Sequence, residues 1–265
     1  MAILIPDPSS MNSKLANLQA AGVANLHIVS DFDRTLTKPV VDGKKVMSSY
    51  ARVRDGKYLS EEFSTKSSAL FVKYHPIEVD PMVPLEQKKE KMQEWWKANW
   101  NLMLQSGMHS DIVKAVAKDP CLQLREGVSM FLKSLSLYNV PLLIFSSGLG
   151  NIIEVHLEQN NLWLKNMHLI ANQFLYGSSG NVIGFSKPMI TVFSKNEYAI
   201  HDEKYVAEVE NRRNVILLGD SLGDLGMSDG MEHDEILRIG FFDKPEVKGL
   251  LEEYLHVFDV VLTEN

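Results

Sequence analysis

The sequence predicts an α/β protein, a parallel-sheet core interrupted by a mainly helical insertion. Three observations carry that expectation. Three short apolar runs, LHIVSDFD (26–33), VPLLIFSSG (140–148) and NVILLGDS (214–221), have the length and β-branched content of strands buried on both faces. Helical patterns lie between and around them, and strands alternating with helices imply parallel pairing. Residues 38–121 look different, with few strand candidates and strong helical periodicity.

Taken in order, the first run ends in DFDRT, at the start of the insertion. Within the insertion, PLEQKKEKMQEWWKANWNLMLQSG (84–107) repeats Met92, Trp95, Trp96, Trp100 and Met103 at three- and four-residue spacing, so one helical face is apolar. Tryptophans so spaced are expected to form the interior of the insertion, with at most one facing a ligand. SDIVKAVAKD (110–119) reads as a further helix. GVSMFLKSLSLYN (127–139) is an amphipathic helix leading into the second strand, and NIIEVHLEQNN (151–161) is a helix following it. HLIANQFLY and GNVIGF (168–185) read as a hairpin turning at GSSG, and FDVVLT (258–263) as a late strand. The expected division is a core of residues 1–37 and 122–265 with an inserted cap of residues 38–121.

Composition narrows the function classes. Of 265 residues, 45% are hydrophobic and 23% charged, which is globular rather than disordered. Thirty-four Asp and Glu against 27 Lys and Arg leave a net charge of -7, which disfavours long nucleic acid as a partner. The single cysteine, Cys121, cannot form an intrachain disulfide and reads as a structural thiol, which suits a reducing compartment. The start, MAILIPDPSS, lacks a basic segment and a long apolar stretch, and no run approaches a membrane span. A cytoplasmic monomer without membrane contact is expected.

The chemistry lies at the strand ends, where open parallel sheets bind ligands. The first run delivers Asp31 and Asp33, the second Ser146, Ser147 and Gly148, and the third Gly219, Asp220, Ser221 and then Asp224. Four clustered carboxylates are electrostatically costly unless a cation shares the site. An all-oxygen site of this kind suits Mg²⁺, which leaves room for a substrate phosphate. Asp31 is then placed to attack phosphorus as a nucleophile. If Asp33 ligates through its backbone carbonyl, its carboxylate is free for proton transfer. FSSGLGN offers a hydroxyl, small residues and a helix start as a phosphate cradle.

These motifs resemble those of the haloacid dehalogenase (HAD) superfamily of phosphohydrolases: DFDRT fits its first motif, FSSG its second and GDSLGD its acidic fourth. YHPIEVDP, EWWKANWNL, LREGVSMF, TVFSKNEYAI and NVILLGDSLGDLGM further resemble the cytosolic 5′-nucleotidase III, or pyrimidine 5′-nucleotidase, family over roughly residues 25 to 262. The resemblance implies a HAD-type, Rossmann-like core with an inserted cap, and Mg²⁺-dependent hydrolysis of nucleoside 5′-monophosphates through an aspartyl-phosphate. Asp31 would be the nucleophile, and Asp33 the acid that protonates the leaving 5′-oxygen and then activates water. Ser146, with Ser147 beside it, and Lys195 would bind phosphate. Asp31, the Asp33 carbonyl and Asp220 would hold the metal, with Asp224 supporting it through water. Glu78 would read the nucleobase, and Asn99 falls where a small polar base contact is common, in place of the serine of some members. CMP, UMP and 7-methyl-GMP all fit. Without the resemblance, Glu78 would be a surface acid in a loop after Pro76. Other readings are a different small phosphomonoester as substrate, a phosphate-binding module without turnover, and phosphotransfer to a second nucleoside as a side activity.

Overall fold

The computed structural model describes residues 2–195 and 203–263. The 191–200 stretch is therefore described only as far as Lys195. Strands and helices are numbered along the chain.

The first apolar run forms β2 (Leu26–Ser30), the second β5 (Leu142–Leu149) and the third β9 (Asn214–Gly219). β2 pairs in parallel with both others, with Ser30 level with Ile144 on one side and Leu218 on the other. Their side chains are almost wholly buried because helices cover both faces, so no polar alternation is needed. Among the described residues the main sheet has seven strands, in the order β1-β11-β10-β9-β2-β5-β6. It adds β6 (Met167–Asn172), β10 (Glu235–Phe242), β11 (Val260–Thr263) and, antiparallel at one edge, β1 (Ala2–Leu4). Strand order reverses around β2, so the three strand ends converge at a topological switch point.

Helices α6 (Val128–Leu137) and α7 (Gly150–Gln159) bracket β5 where the periodicity predicts them. Later helices are α8 (Glu203–Val209) and α9 (Leu250–Val257). The sequence reading missed α1 (Pro8–Ala21), which is capped by Asp7 with proline in its first turn and packs on β10. It also merged two elements after residue 167. β6 is an edge strand of the sheet, while β7 (Phe174–Tyr176) and β8 (Val182–Phe185) form the hairpin, turning at the expected GSSG.

The insertion opens with a two-residue-stranded hairpin, β3 (Val40–Val41) and β4 (Lys44–Lys45), turning through Asp42 and Gly43 at positive φ. Four helices follow: α2 (Ser49–Asp55), α3 (Glu61–Val79), α4 (Leu85–Gln105) and α5 (Ser110–Ala117). Trp95 and Trp100 are buried on the inner face of α4, as the spacing predicts, whereas Trp96 keeps partial exposure. The insertion and the core share packing. α5 lies on α7, and the β7–β8 hairpin reaches α4, where Phe185 stacks on Trp100 at 4.4 Å. Cys121, read from sequence as a structural thiol, is exposed.

Candidate active site

The chain leaves β2 at Asp31, whose amide donates to the Leu218 carbonyl at 3.0 Å. Phe32 is completely buried and pins the turn, so Asp31 and Asp33 emerge on either side of an anchored residue. Asp220 leaves β9 beside them, and Tyr254 on α9 fixes its backbone by donating to its carbonyl at 2.5 Å.

Lys195 joins the strand ends electrostatically. Its ammonium donates to Asp31 Oδ1 at 2.6 Å and to Asp224 Oδ1 at 2.5 Å. All three side chains are buried. The other Asp224 oxygen accepts from the amide and hydroxyl of Ser221, which locks the turn after β9. Thr35 donates to Asp31 Oδ2 at 3.3 Å, so both Asp31 oxygens have a donor. Burial works against the Lys195 charge, yet Asp224 and Asp31 raise its pKa above the ordinary lysine range. Burial pushes Asp31 up, against the pull of Lys195, with Asp224 and Asp220 adding to the rise. Asp220 is pushed up by burial, against the pull of Arg34. The site is short of positive charge even with its lysine in place.

Asp33 is held differently. The Ser49 amide lies 3.0 Å from each Asp33 oxygen, and the Ser49 hydroxyl donates to Oδ2 at 2.9 Å. Burial raises the Asp33 pKa and the Ser49 bonds oppose that rise. Ser146 is buried at the end of β5, where its hydroxyl accepts from the Gly148 amide at 3.0 Å. A Cβ on Gly148 would collide with the Ser49 hydroxyl and stand 3.1 Å from Asp33 Oδ2 and 3.2 Å from Ser146 Oγ, so Asp33 and Ser146 flank one glycine. The Ser147 carbonyl accepts from Asn172 at 2.8 Å. Asn172 also exchanges bonds of 2.9 Å with the backbone of Ile190, clamping the loop that carries Lys195 to the end of β5.

Toward the insertion, Glu78 lies on α3 rather than in a loop, because that helix continues through Pro76. Proline leaves the carbonyl four residues earlier without a partner, and here that residue is the strongly exposed Val72. Glu78 is partly buried and sits 3.3 Å from His75 Nδ1. Asn99 is buried inside the insertion, with its carbonyl oxygen accepting from Tyr50 at 2.5 Å and Ser67 at 3.1 Å and its amide donating to the Trp95 carbonyl. That oxygen is fully used within the protein. Tyr50 follows Ser49 directly, and its ring packs 4.9 Å from that of Trp96.

The carboxylates fit a divalent cation. Oxygens of Asp31, Asp220 and Asp224 lie within 4.8 Å of one another, all three residues are buried, and Asp220 Oδ2 has no hydrogen-bond donor among the described residues. The sequence reading did not single out three residues of this neighbourhood. Arg34, inside the first motif, places Nε 3.3 Å from Asp220 Oδ2. Ser49 carries no motif. Asn172 gave one signal, a polar residue ending an apolar strand.

The buried aspartates and one lysine cluster at the switch point of a parallel sheet that carries a helical insertion after its first central strand. A HAD-family hydrolase from Salmonella enterica serovar Typhi shares the fold, with a TM-score of 0.56 and 16% identity over 90% of this chain and 67% of that one. The family model for pyrimidine 5′-nucleotidase (UMPH-1) matches residues 34–265, and the chain belongs to that family of phosphoric monoester hydrolases. It is 34% identical to the 7-methylguanosine phosphate-specific 5′-nucleotidase of Homo sapiens over 264 residues, covering 99% of this chain and 88% of the relative. The crystal structure of cytosolic 5′-nucleotidase IIIB bound to cytidine matches with a TM-score of 0.90 and 32% identity, covering 98% of this chain and 88% of that one. Among the described residues no helix is long and apolar enough to cross a membrane.

Proposed function

We propose that this 5′-nucleotidase is Mg²⁺-dependent, works in the cytoplasm on CMP, UMP or 7-methyl-GMP, and proceeds through an aspartyl-phosphate on Asp31. The observation that carries the reading is the Lys195 ammonium bonded to both Asp31 and Asp224, with Asp220 beside them. That arrangement keeps one buried cation against the attacking group, where a phosphate dianion must also lie.

Asp31, Asp220 and the Asp33 carbonyl would hold Mg²⁺, with Asp224 in support. When bound, the ion screens repulsion between the Asp31 carboxylate and the phosphate and balances charge on the transferring group. Ser146, Ser147 and Lys195 orient the phosphate. Asp31 attacks phosphorus, the bond to the 5′-oxygen breaks, and that oxygen takes the proton of the Asp33 carboxyl. Asp33, now a carboxylate, removes a proton from water that attacks the aspartyl-phosphate, releasing phosphate and restoring both acids. Residues 38–121 serve as the cap over the core of residues 1–37 and 122–265. On the cap side Glu78 accepts hydrogen bonds from an exocyclic amine of the base. Trp96 is the partly exposed ring nearest Tyr50, and we assign it the stacking face. Asn99 acts from behind by holding Tyr50. The names of the relatives and the cytidine of the similar structure support this choice of substrates.

The test is phosphate release from a panel of nucleoside monophosphates, phosphoserine and a sugar phosphate, each with Mg²⁺ and with EDTA. CMP, UMP or 7-methyl-GMP should lead, and EDTA should stop turnover. Asp31→Asn should lower kcat by at least about a thousand-fold, because an amide cannot form the acyl-phosphate. Near wild-type activity in that variant would remove Asp31 from the role, and turnover of the small phosphates alone would overturn the assignment of the cap.

A further inference from the structure

Ser49 belongs to the insertion, yet it supplies the hydrogen bonds drawn to the Asp33 carboxylate: its amide at 3.0 Å from both oxygens and its hydroxyl at 2.9 Å from Oδ2. The same hydroxyl lies 3.3 Å from the Leu149 amide, at the end of the strand that carries Ser146. Ser49 is completely buried and Asp33 nearly so, which leaves the acid little freedom to choose another partner.

The helix that begins at Ser49 is tied down on its other sides by the insertion. Tyr50 donates to Asn99, which Trp95 and Ser67 also hold. The Arg52 guanidinium is buried, 3.0 Å from Asp119 Oδ1 and 2.9 Å from the Cys121 carbonyl, where the chain returns toward the core. A shift of the cap helices against the core therefore displaces α2, and with it the donor that orients Asp33.

We infer that Ser49 is a positioning residue for the proton-transfer step, aiming the Asp33 carboxyl at the leaving oxygen and linking that aim to the seating of the cap. The inference rests on the assignment of Asp33 as the acid. Its test compares kcat/KM for two esters, because an unactivated alkoxide needs protonation to leave and an activated aryloxide does not. For CMP, Ser49→Ala should lower kcat/KM by about ten-fold or more, a fraction of what a general acid contributes. For 4-nitrophenyl phosphate the loss should stay below about three-fold, since little proton transfer is required. Ser49→Thr, which keeps the hydroxyl, should regain most of the CMP value. Equal losses on both esters, or no loss on CMP, would overturn the inference. If the wild type hydrolyses 4-nitrophenyl phosphate and glycerol phosphate but no nucleotide, the nucleotide assignment falls, and Ser49 is judged by the same ratio with glycerol phosphate as the unactivated ester. A wild type that hydrolyses none of them overturns both.

Discussion

Arg34 sits in the middle of the first motif with φ of 64°, a left-handed conformation that non-glycine residues rarely adopt. Its backbone is held there from two sides. The Arg34 amide donates to Thr37 Oγ1 at 2.8 Å, and Arg125 donates to the Arg34 carbonyl at 2.6 Å. That turn brings the guanidinium against Asp220, which the metal would need, while Lys244 stands 4.0 Å from the same oxygen. Arg34 therefore offsets the Asp220 charge and competes with any divalent ion. Arg34→Met keeps most of the stem and removes the charge. Arg34 is about one-third exposed, and solvent screening trims its effect. The dissociation constant for Mg²⁺ should still fall by about ten-fold, roughly 1.4 kcal/mol. Isothermal titration with MgCl₂ alone reads this directly, and unchanged or weaker binding would mean that the guanidinium is not a competitor.

At the scale of the element, the junction of β5 and α7 has the least room to spare. Gly148 is there because a side chain would strike the Ser49 hydroxyl and crowd Asp33 and Ser146. Gly148→Ala should push α2 off the strand end, costing about 1–3 kcal/mol by overpacking. Displacing a group by about 1 Å in a catalytic constellation costs on the order of a hundred-fold, and kcat should fall accordingly. Urea denaturation and phosphate release measured on the same variant check both, and a stable, fully active variant would show that the junction has slack. The strands that build this junction were legible because each is uniformly apolar and then stops in a polar cluster. β10 was not, since Glu235 and Arg238 break its apolar pattern and its neighbours, not its own composition, hold it in the sheet. α1 was missed because it buries no residue fully and shows no apolar stripe, although Asp7 and Pro8 were a readable start signal. Asp31, Ser146 and Asp220 could be placed at neighbouring strand ends from sequence. The pairing of Asp33 with Ser49 could not, because it depends on where the insertion folds back. Nor could the internal bonding of Asn99, which two distant partners, Tyr50 and Ser67, decide.

At the scale of the whole molecule, two buried groups of titrating side chains pull stability in opposite directions with pH. At the sheet end opposite the active site, His27 is buried with its ring 5.4 Å from His233 and 6.2 Å from Tyr205, and Tyr205 meets His168 at 5.3 Å. Glu208 is 2.6 Å from His168, and Arg212 is fixed nearby on the Leu26 carbonyl. Burial, with help from His233, lowers the His27 pKa from 6.5 to about 4, and burial lowers that of His233 as well. Between those two values the unfolded chain binds a proton at residue 27 that the folded chain refuses. Stability is therefore full above about pH 6.5 and is lost as the pH falls, by up to about 3 kcal/mol for His27 by pH 4. Asp31, Asp33 and Asp220 have the other sign. Their pKa values are raised in the fold, so protonation favours the folded state and their contribution grows as the pH falls. The measured acid limb is the difference of the two, which is why one substitution is needed to separate them. His27→Phe removes the titrating ring but leaves the aspartates untouched, and any packing cost it carries is independent of pH. In urea denaturation from pH 7 to pH 4.5, the wild type should lose more stability than His27→Phe, with a gap that widens as the pH falls and reaches about 2.5 kcal/mol at the acid end. Parallel curves for the two proteins would place the acid sensitivity elsewhere in the fold.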